Sequence, residues 1–410
     1  MNDEKLIPKL RFEFSSNWES KKLKDIIQIS KEKYNPDSDR TNYKCIELEH
    51  LAQETGLLLG YTDSINQNSI KNKFHEDNIL FGKLRPYLKK FYYTNFVGVC
   101  SSEIWVFDTK EYSKYIYYLI QTKRFLDISN VSSGSKMPRS DWNFMKDFVF
   151  LIPDIKTQKE TANLFSMIDN KIGLLEKKYK FYQDFKKFLM QQIFAQKLRF
   201  NFSDEWKIVK LESLIKKGKA GGTPSSTNSD YYNGDIPFLS IRDMTEQGKY
   251  ILKTEKTITE EGLNNSSAWI IPKNSLLYSI YASIGLVAIN RSDISTSQAI
   301  YGIILKEGVS LEYMYYYLTY FKKNIHKYIE TGTQGNLNAK LLKSFEILLP
   351  SLEEQEMIVN VLSIVDEKIE NSKKEIEKIN EFKKGLLQQM FNNVRLVVIN
   401  LIINEYICPL

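Results

Sequence analysis

Apolar side chains in two stretches of this chain step three and four residues apart. Phe165, Ile168, Ile172, Leu175, Tyr179 and Tyr182 form the first row, and Leu362, Val365, Ile369, Ser372, Ile376 and Ile379 repeat its 3-4-3-4-3 spacing. Such spacing is the a/d seam of a helix packed along a partner helix. Lys, Glu, Asp and Asn fill the faces between, as solvent-facing positions should be filled. Each row follows a strand-like run ending in proline, at residues 148–153 and 345–350. Ser351 and Glu354 are spaced as a capping box for the second helix; Thr157 and Glu160 could serve the first, where Asp154 is also a candidate cap. About 40 helical residues span ~60 Å and would leave a lone seam in water. The pattern therefore predicts two long helices that pair antiparallel, since a globular segment separates them in sequence.

The two rows belong to a larger repeat. Every seam pair is offset by 197 residues, and residues 185–194 return at 382–391 with the same offset. Residues 9–15 (Lys-Leu-Arg-Phe-Glu-Phe-Ser) return at 197–203 (Lys-Leu-Arg-Phe-Asn-Phe-Ser), and Trp18 returns as Trp206, offset by 188. This period is far too long for a solenoid and means a duplicated domain plus connector. The predicted organisation is a globular domain at 1–154, a helix at 155–196, a second globular domain at 197–350, a second helix at 351–392 and an atypical tail at 393–410. Both interiors mix short β-like runs with turn clusters, so the fold class is α+β: two globular domains joined by an antiparallel two-helix coiled coil, with a pseudo-two-fold internal repeat. The interiors themselves are weakly alike. Residues 78–81 line up with 274–277, and residues 117–119 with 316–318.

Composition narrows the chemistry. The 410 residues are 42% hydrophobic, enough for a core in each half, and the net charge of +7 mildly favours an anionic partner. Cys45, Cys100 and Cys408, like His50, His75 and His326, are scattered without metal-ligand spacing. No metal site is expected, and the cysteine usage fits a reducing cytosol, hence a cytoplasmic protein. The N-terminal residues contain no apolar signal region, and the apolar run at 396–403 is too short to span a bilayer, which takes ~20 residues. No phosphate loop, Asn/Asp-Pro-Pro-aromatic methylase tetrapeptide, nuclease carboxylate-lysine pattern or hydrolytic triad is present. No catalytic residue is assigned, and any associated activity is expected from another subunit.

Candidates for gripping nucleic acid are present instead. Residues 78–102 contain no acidic side chain, yet place Lys83, Arg85, Lys89 and Lys90 among Phe81, Tyr87, Phe91, Tyr92, Tyr93 and Phe96. Cations with planar neighbours suit phosphate and base contact together; strands with solvated lysines would read the same way. The polar loop at 132–140 carries Lys136 and Arg139, while its counterpart at 331–338 carries Gln334, Asn336 and Asn338. Arg and Lys match guanine edges, and Gln and Asn match adenine edges. Arg139 is the candidate for a base and Lys136 for a phosphate, a planar fork against a point charge. Lys216, Lys217 and Lys219, before the Gly221-Gly222 turn, are backbone clamps or plain surface charge, and Arg242 completes the set.

The openings at 10–12 and 198–200 (Leu-Arg-Phe), the run Gly234-Asp235-Ile236-Pro237-Phe238, and the two endings of form Lys-Lys-x-Leu-x-Gln-Gln-x-Phe at 186–194 and 383–391 resemble the specificity (S) subunit of type I restriction–modification systems. The likeness covers residues 8 to about 392. It implies that each globular block reads one half of a bipartite, asymmetric site in double-stranded DNA. It further implies that the helices fix the gap and dock two modification subunits, which bind S-adenosylmethionine and methylate adenine. This chain would itself bind no cofactor and need no membrane. Two restriction subunits are optional further partners. The alternative is a coiled-coil adaptor joining two proteins without touching DNA; the acid-free basic stretch and the differing polar loops argue against it.

Overall fold

A computed structural model describes residues 10–12, 18–131, 137–281, 283–327, 337–391 and 397–398. The chain divides into two compact units. One comprises residues 1–177 with 373–410, the other residues 178–372. Two helices, Ile155–Phe194 and Leu352–Phe391, are each 40 residues long and contribute a part to each unit. Of the atypical tail, only Val397–Val398 is described; it pairs in parallel with Leu10–Arg11.

In the first unit a four-stranded antiparallel sheet runs Gln28–Ile29, Ile104–Asp108, Ile79–Gly82, Phe91–Tyr93. A five-stranded sheet lies against it, in the order Lys33–Tyr34, Lys71–Phe74, Gly98–Cys100, Lys44–Ile46, Thr62–Asp63. The period of two along a strand separates two cores. Ile79, Phe81 and Phe107 join Tyr115, Tyr118 and Leu119 of the helix Ser113–Leu119, with Phe165 and Ile168 of the first long helix and Ile379, Leu386 and Met390 of the second. Leu80 and Val106 point the other way, to Phe74, Ile46 and Cys100 between the sheets. The Phe165 and Phe391 rings lie 6.0 Å apart, and Lys383 meets Asp169 at 2.7 Å, so the two helical segments run antiparallel within this unit.

The second unit repeats the plan with altered sheets. A five-stranded sheet runs Ile215–Ala220, Ile300–Leu305, Leu276–Ser279, Val287–Asn290, Tyr250–Ile251, beside a three-stranded sheet of Lys256–Ile258, Tyr232–Leu239 and Ser295–Thr296. Leu276, Tyr278 and Ile303 face Tyr313 and Tyr316, together with Leu189 and Ile193 of the first long helix and Ile358 and Leu362 of the second. Leu277 and Ile300 face the other core.

These faces correct the internal alignment by one residue. Ile79 and Phe81 share the helix-side core, as Leu276 and Tyr278 do, so Ile79 answers to Leu276 and not to Ser275. In the next helix Tyr118 answers to Tyr316, because these two hydroxyls donate to the matching aspartates Asp169 and Asp366. A slip of one in a strand exchanges its faces, which matching letters alone cannot detect.

Each long helix begins alike. The strand before it, Val149–Pro153 or Glu346–Leu349, pairs antiparallel with Trp18–Lys22 or Lys207–Lys210. Asp154 caps the first helix by accepting from the Thr157 N–H at 3.0 Å, and Ser351 caps the second through the Glu354 N–H at 3.3 Å. The reciprocal half of the second capping box is absent, because the Glu354 carboxylate is held by Arg199 and Trp206. Along the seams, Phe165, Ile168, Leu175, Leu362, Val365, Ser372 and Ile379 are buried. Ile172, Tyr179, Tyr182, Ile369 and Ile376 are half-buried.

Candidate nucleic-acid interface

In the first unit the strand Ile79–Gly82 runs out into a turn carrying four of the candidate cations. A single 3₁₀ turn, Pro86–Leu88, is flanked by Arg85 and Lys89, both left-handed at φ 52° and 48°. Non-glycine residues seldom sit there, and the fold holds these two by backbone bonds. Arg85 N–H donates to the Pro138 carbonyl at 2.8 Å and Ser140 N–H to the Lys83 carbonyl at 2.9 Å, while Leu84 bridges to Arg139. Two segments that lie more than 45 residues apart in sequence, each a separate candidate, thus form one surface. Tyr87, at 54% exposed, and Met137, at 50%, stand on it.

The surface is less purely basic than its sequence. Glu54 reaches Lys89 at 2.6 Å, and Glu103 accepts a two-pronged bond from Arg139, Nε and Nη2 each at 3.0 Å. Hydrogen bonding from Arg139 holds the Glu103 carboxyl below its usual range. Lys90 donates to the Leu48 carbonyl at 2.6 Å. Lys83 and Arg85 make no ion pair among the described residues, and Arg85 is exposed. Arg85 has no described carboxylate to give up on meeting phosphate, while Lys83 also feels the Glu103 carboxylate. Glu103 occupies Nε and Nη2 of Arg139 and so pre-orients its guanidinium. Lys136 lies outside the described residues.

In the second unit Lys216, Lys217 and Lys219 are exposed on Ile215–Ala220, the outer strand of its sheet. The Lys217 ammonium lies 4.9 Å from the Trp269 ring centre. The glycines that follow serve packing rather than phosphate binding. A Cβ on Gly221 would fall 2.1 Å from the Thr296 carbonyl oxygen, and one on Gly222 would fall 2.2 Å from Ser267 Oγ. Their N–H groups already donate to the Ile300 and Thr296 carbonyls. Arg242 is paired with Glu246 at 2.8 Å and Glu255 at 3.6 Å. Asn338 caps the helix Ala339–Lys343 by accepting from Leu341 N–H at 2.9 Å. Gln334 and Asn336 lie outside the described residues. No group of three His, Cys, Asp or Glu among the described residues could hold a metal ion. No described helix is long and apolar enough to cross a membrane.

Sequence reading missed the polar side chains that tie each block to the helices. Gln158 Oε1 accepts from Tyr112 N–H at 2.8 Å and its amide donates to the Pro153 carbonyl at 2.9 Å; Gln355 does the same with Ser310 N–H at 2.8 Å and Pro350 at 3.0 Å. Asp169 and its copy Asp366 were equally overlooked, and Lys186 and Lys383 stood in the repeated endings with no role assigned. The signal was there, since each is an identical residue at the offset of 197.

Comparison with known proteins places this architecture. The family described as "Type I restriction modification DNA specificity domain" matches the chain twice, at residues 15–180 and 203–381. The MjaIX type I restriction enzyme specificity subunit of Methanocaldococcus jannaschii is 35% identical over 194 residues, which span 46% of this chain and 43% of that protein. The putative MjaX specificity subunit of the same organism is 26% identical across 92% of this chain and 93% of its own length. The EcoR124I/EcoR124II specificity subunit of Escherichia coli is 27% identical across 63% and 64%. Among solved structures, the S subunit of a type I restriction–modification system from M. genitalium aligns with TM-score 0.56 at 14% identity, over 95% of this chain and all of that one. A chain from a structure of complex assembly and conformational transition of the type I R-M system aligns with TM-score 0.60 at 15% identity, over 92% and 98%. At these identities the structural likeness is one of fold.

Proposed function

The chain belongs to the type I restriction–modification DNA specificity family, and on that premise we propose that it is the DNA-reading, non-catalytic subunit of a type I restriction–modification complex. Each unit's block meets one half of a bipartite site in double-stranded DNA. In the first, Lys83 and Arg85 neutralise phosphates beside the exposed Tyr87, and Arg139 exchanges Glu103 for a guanine edge. In the second, the Lys216, Lys217 and Lys219 strand edge follows the backbone. The long helices pair as an antiparallel coiled coil that serves as a ruler. Half-sites about one helical turn apart, ~34–36 Å, would present the same groove on one face of the duplex.

The first long helix also offers docking surface in each unit. Phe181, Phe185 and Phe188 of the second unit are 62%, 38% and 54% exposed, and Met167 and Leu174 of the first are 51% and 64% exposed. Large apolar side chains left in water at helical spacing suit a partner helix. We assign them to modification subunits, two per chain, which would bind S-adenosylmethionine and methylate adenine in each half-site; restriction subunits would join that assembly.

The observation that carries the reading is the duplicated frame: two units, each with its own core, each taking part of both long helices. The test is single-molecule sequencing of adenine methylation in cells expressing the chain with its modification subunit. One bipartite motif is expected, and exchanging residues 11–154 for another family member's block should alter one half only. A change in both halves or in neither would overturn the two-block reading, and methylation by the purified chain alone would overturn its non-catalytic role.

A further inference from the structure

One carboxylate in each unit gathers three elements. In the first, Tyr118 of the block's helix donates to Asp169 Oδ2 at 2.8 Å, and Lys383 of the second long helix meets Asp169 Oδ1 at 2.7 Å. Asp169 itself belongs to the first long helix. In the second unit Tyr316 donates to Asp366 Oδ2 at 2.6 Å and Lys186 meets Oδ1 at 2.6 Å, with the roles of the two long helices exchanged. The aspartates and the lysines each recur 197 residues apart, although the block interiors have diverged. These sites are semi-enclosed: the lysine side chains are 12% and 19% exposed, and both tyrosines are buried.

The surrounding core contacts are apolar and non-directional, and tolerate small rotations and slides. A carboxylate with one oxygen aimed at a phenol and the other at an ammonium does not, because charge-assisted hydrogen bonds are directional. We propose that Tyr118–Asp169–Lys383 and Tyr316–Asp366–Lys186 are positioning triads. Each sets the angle at which its block sits on the helix pair within its own unit, and so narrows the range of gaps between half-sites that the complex accepts. The proposal rests on the DNA-reading function above. The apolar seam sets the distance and the triads set the angle. Losing a triad should therefore blur gap selection while base selection stays intact, since no triad residue belongs to the candidate DNA surface.

The experiment uses the full chain assembled with its modification subunit, and duplexes carrying the methylome-defined half-sites at the native gap and at gaps one base pair shorter and longer. Wild type should methylate its own gap about tenfold or more faster than either neighbour, because a misfit gap must be met by twisting or stretching the duplex. Asp169→Asn, Asp366→Asn and, as milder cuts of one arm, Lys383→Met and Lys186→Met should reduce that ratio to roughly threefold or less with unchanged half-site sequences. Ile46→Val, a change in the core between the first unit's two sheets, should lower thermal tolerance but keep the wild-type ratio. Triad variants that keep the full ratio overturn the proposal. A wild type indifferent to gap overturns the ruler reading beneath it, which is a different result. Should the aspartate variants not fold, the lysine variants decide.

Discussion

The start of each long helix is tied to its block by the same glutamine but by a different carboxylate. In the first unit the carboxylate comes from the block: Glu111 holds Lys21 at 2.7 Å and accepts from the Gln158 amide at 2.7 Å. In the second it comes from the helix. Glu354, 1% exposed, takes Arg199 on both oxygens at 3.1 and 2.7 Å and the Trp206 indole N–H at 2.9 Å. Thr157 stands where the repeat would place a first-unit Glu354. What is preserved between the halves is thus the need to satisfy the helix start. The supplier of the charge is free to move. Divergence inside a duplicated frame is tolerated wherever a second route satisfies the same groups.

This comparison predicts unequal costs. Glu354→Ala leaves the Arg199 guanidinium only the Asp204 carbonyl and leaves the buried Trp206 indole N–H without its acceptor, and an orphaned buried donor costs up to about 3 kcal/mol. Glu111→Ala faces a lysine that is 30% exposed and can turn to water or to Glu19 at 3.3 Å; about 1 kcal/mol is expected there. Hydrogen exchange reads the two separately. Protection of Lys207–Lys210 and Glu346–Leu349 should fall by about a hundredfold in the first variant, and that of Trp18–Lys22 by less than about tenfold in the second. Equal losses would mean that the two carboxylates are equivalent after all.

The cationic surfaces offer a second contrast, within the first block. Arg139→Ala should cost about 1–3 kcal/mol of DNA affinity and relax preference at one base position. Arg85→Ala should weaken all sequences alike and reduce the salt slope by about 0.9. Both are measured in the assembled methyltransferase, on cognate and singly altered duplexes over a salt series. Unchanged affinity and selectivity for Arg139→Ala would leave that arginine as a strut for Glu103 and nothing more.

Legibility followed locality. The seams were readable because a 3-4 spacing is written within one helix, and the repeat because its landmarks are short and contiguous. The basic surface was readable only by half. No acid lies within residues 78–102, but Glu103 adjoins that window and Glu54 arrives from an earlier loop, and they pair with Arg139 and Lys89. Register was the other loss. Asn-x-Leu letters aligned Ile79 with Ser275, whereas core-facing direction aligns it with Leu276, and direction is a property of the folded sheet. The triads needed three remote elements to be seen together, although their identical aspartates and lysines at one constant offset could have been flagged as pairs.

The smallest expected effect concerns a difference between the triads themselves. In the second unit Lys249 adds a cation that the first unit's triad is not given: its ammonium donates to the Tyr316 hydroxyl at 2.8 Å and lies 4.3, 5.0 and 5.3 Å from the Tyr316, Tyr250 and Tyr315 ring centres. Burial lowers its pKa from the ordinary 10.5, against the opposing pull of Asp366 and Glu312 and with a further push down from Arg291. A lysine that holds its proton less firmly folded than unfolded makes stability rise with pH between its folded value and 10.5. Above about pH 10 the sign reverses, since burial raises the Tyr316 phenol above its ordinary value and the unfolded chain then releases that proton first. Tyr118 gives the first unit the same falling limb. Urea midpoints followed unit by unit through pulse-proteolysis fragments should therefore climb as pH rises toward about 10 for the second unit relative to the first, and Lys249→Met should remove that climb. A slope common to both units, or one that survives Lys249→Met, would assign the effect to the tyrosines and leave the two triads electrostatically alike.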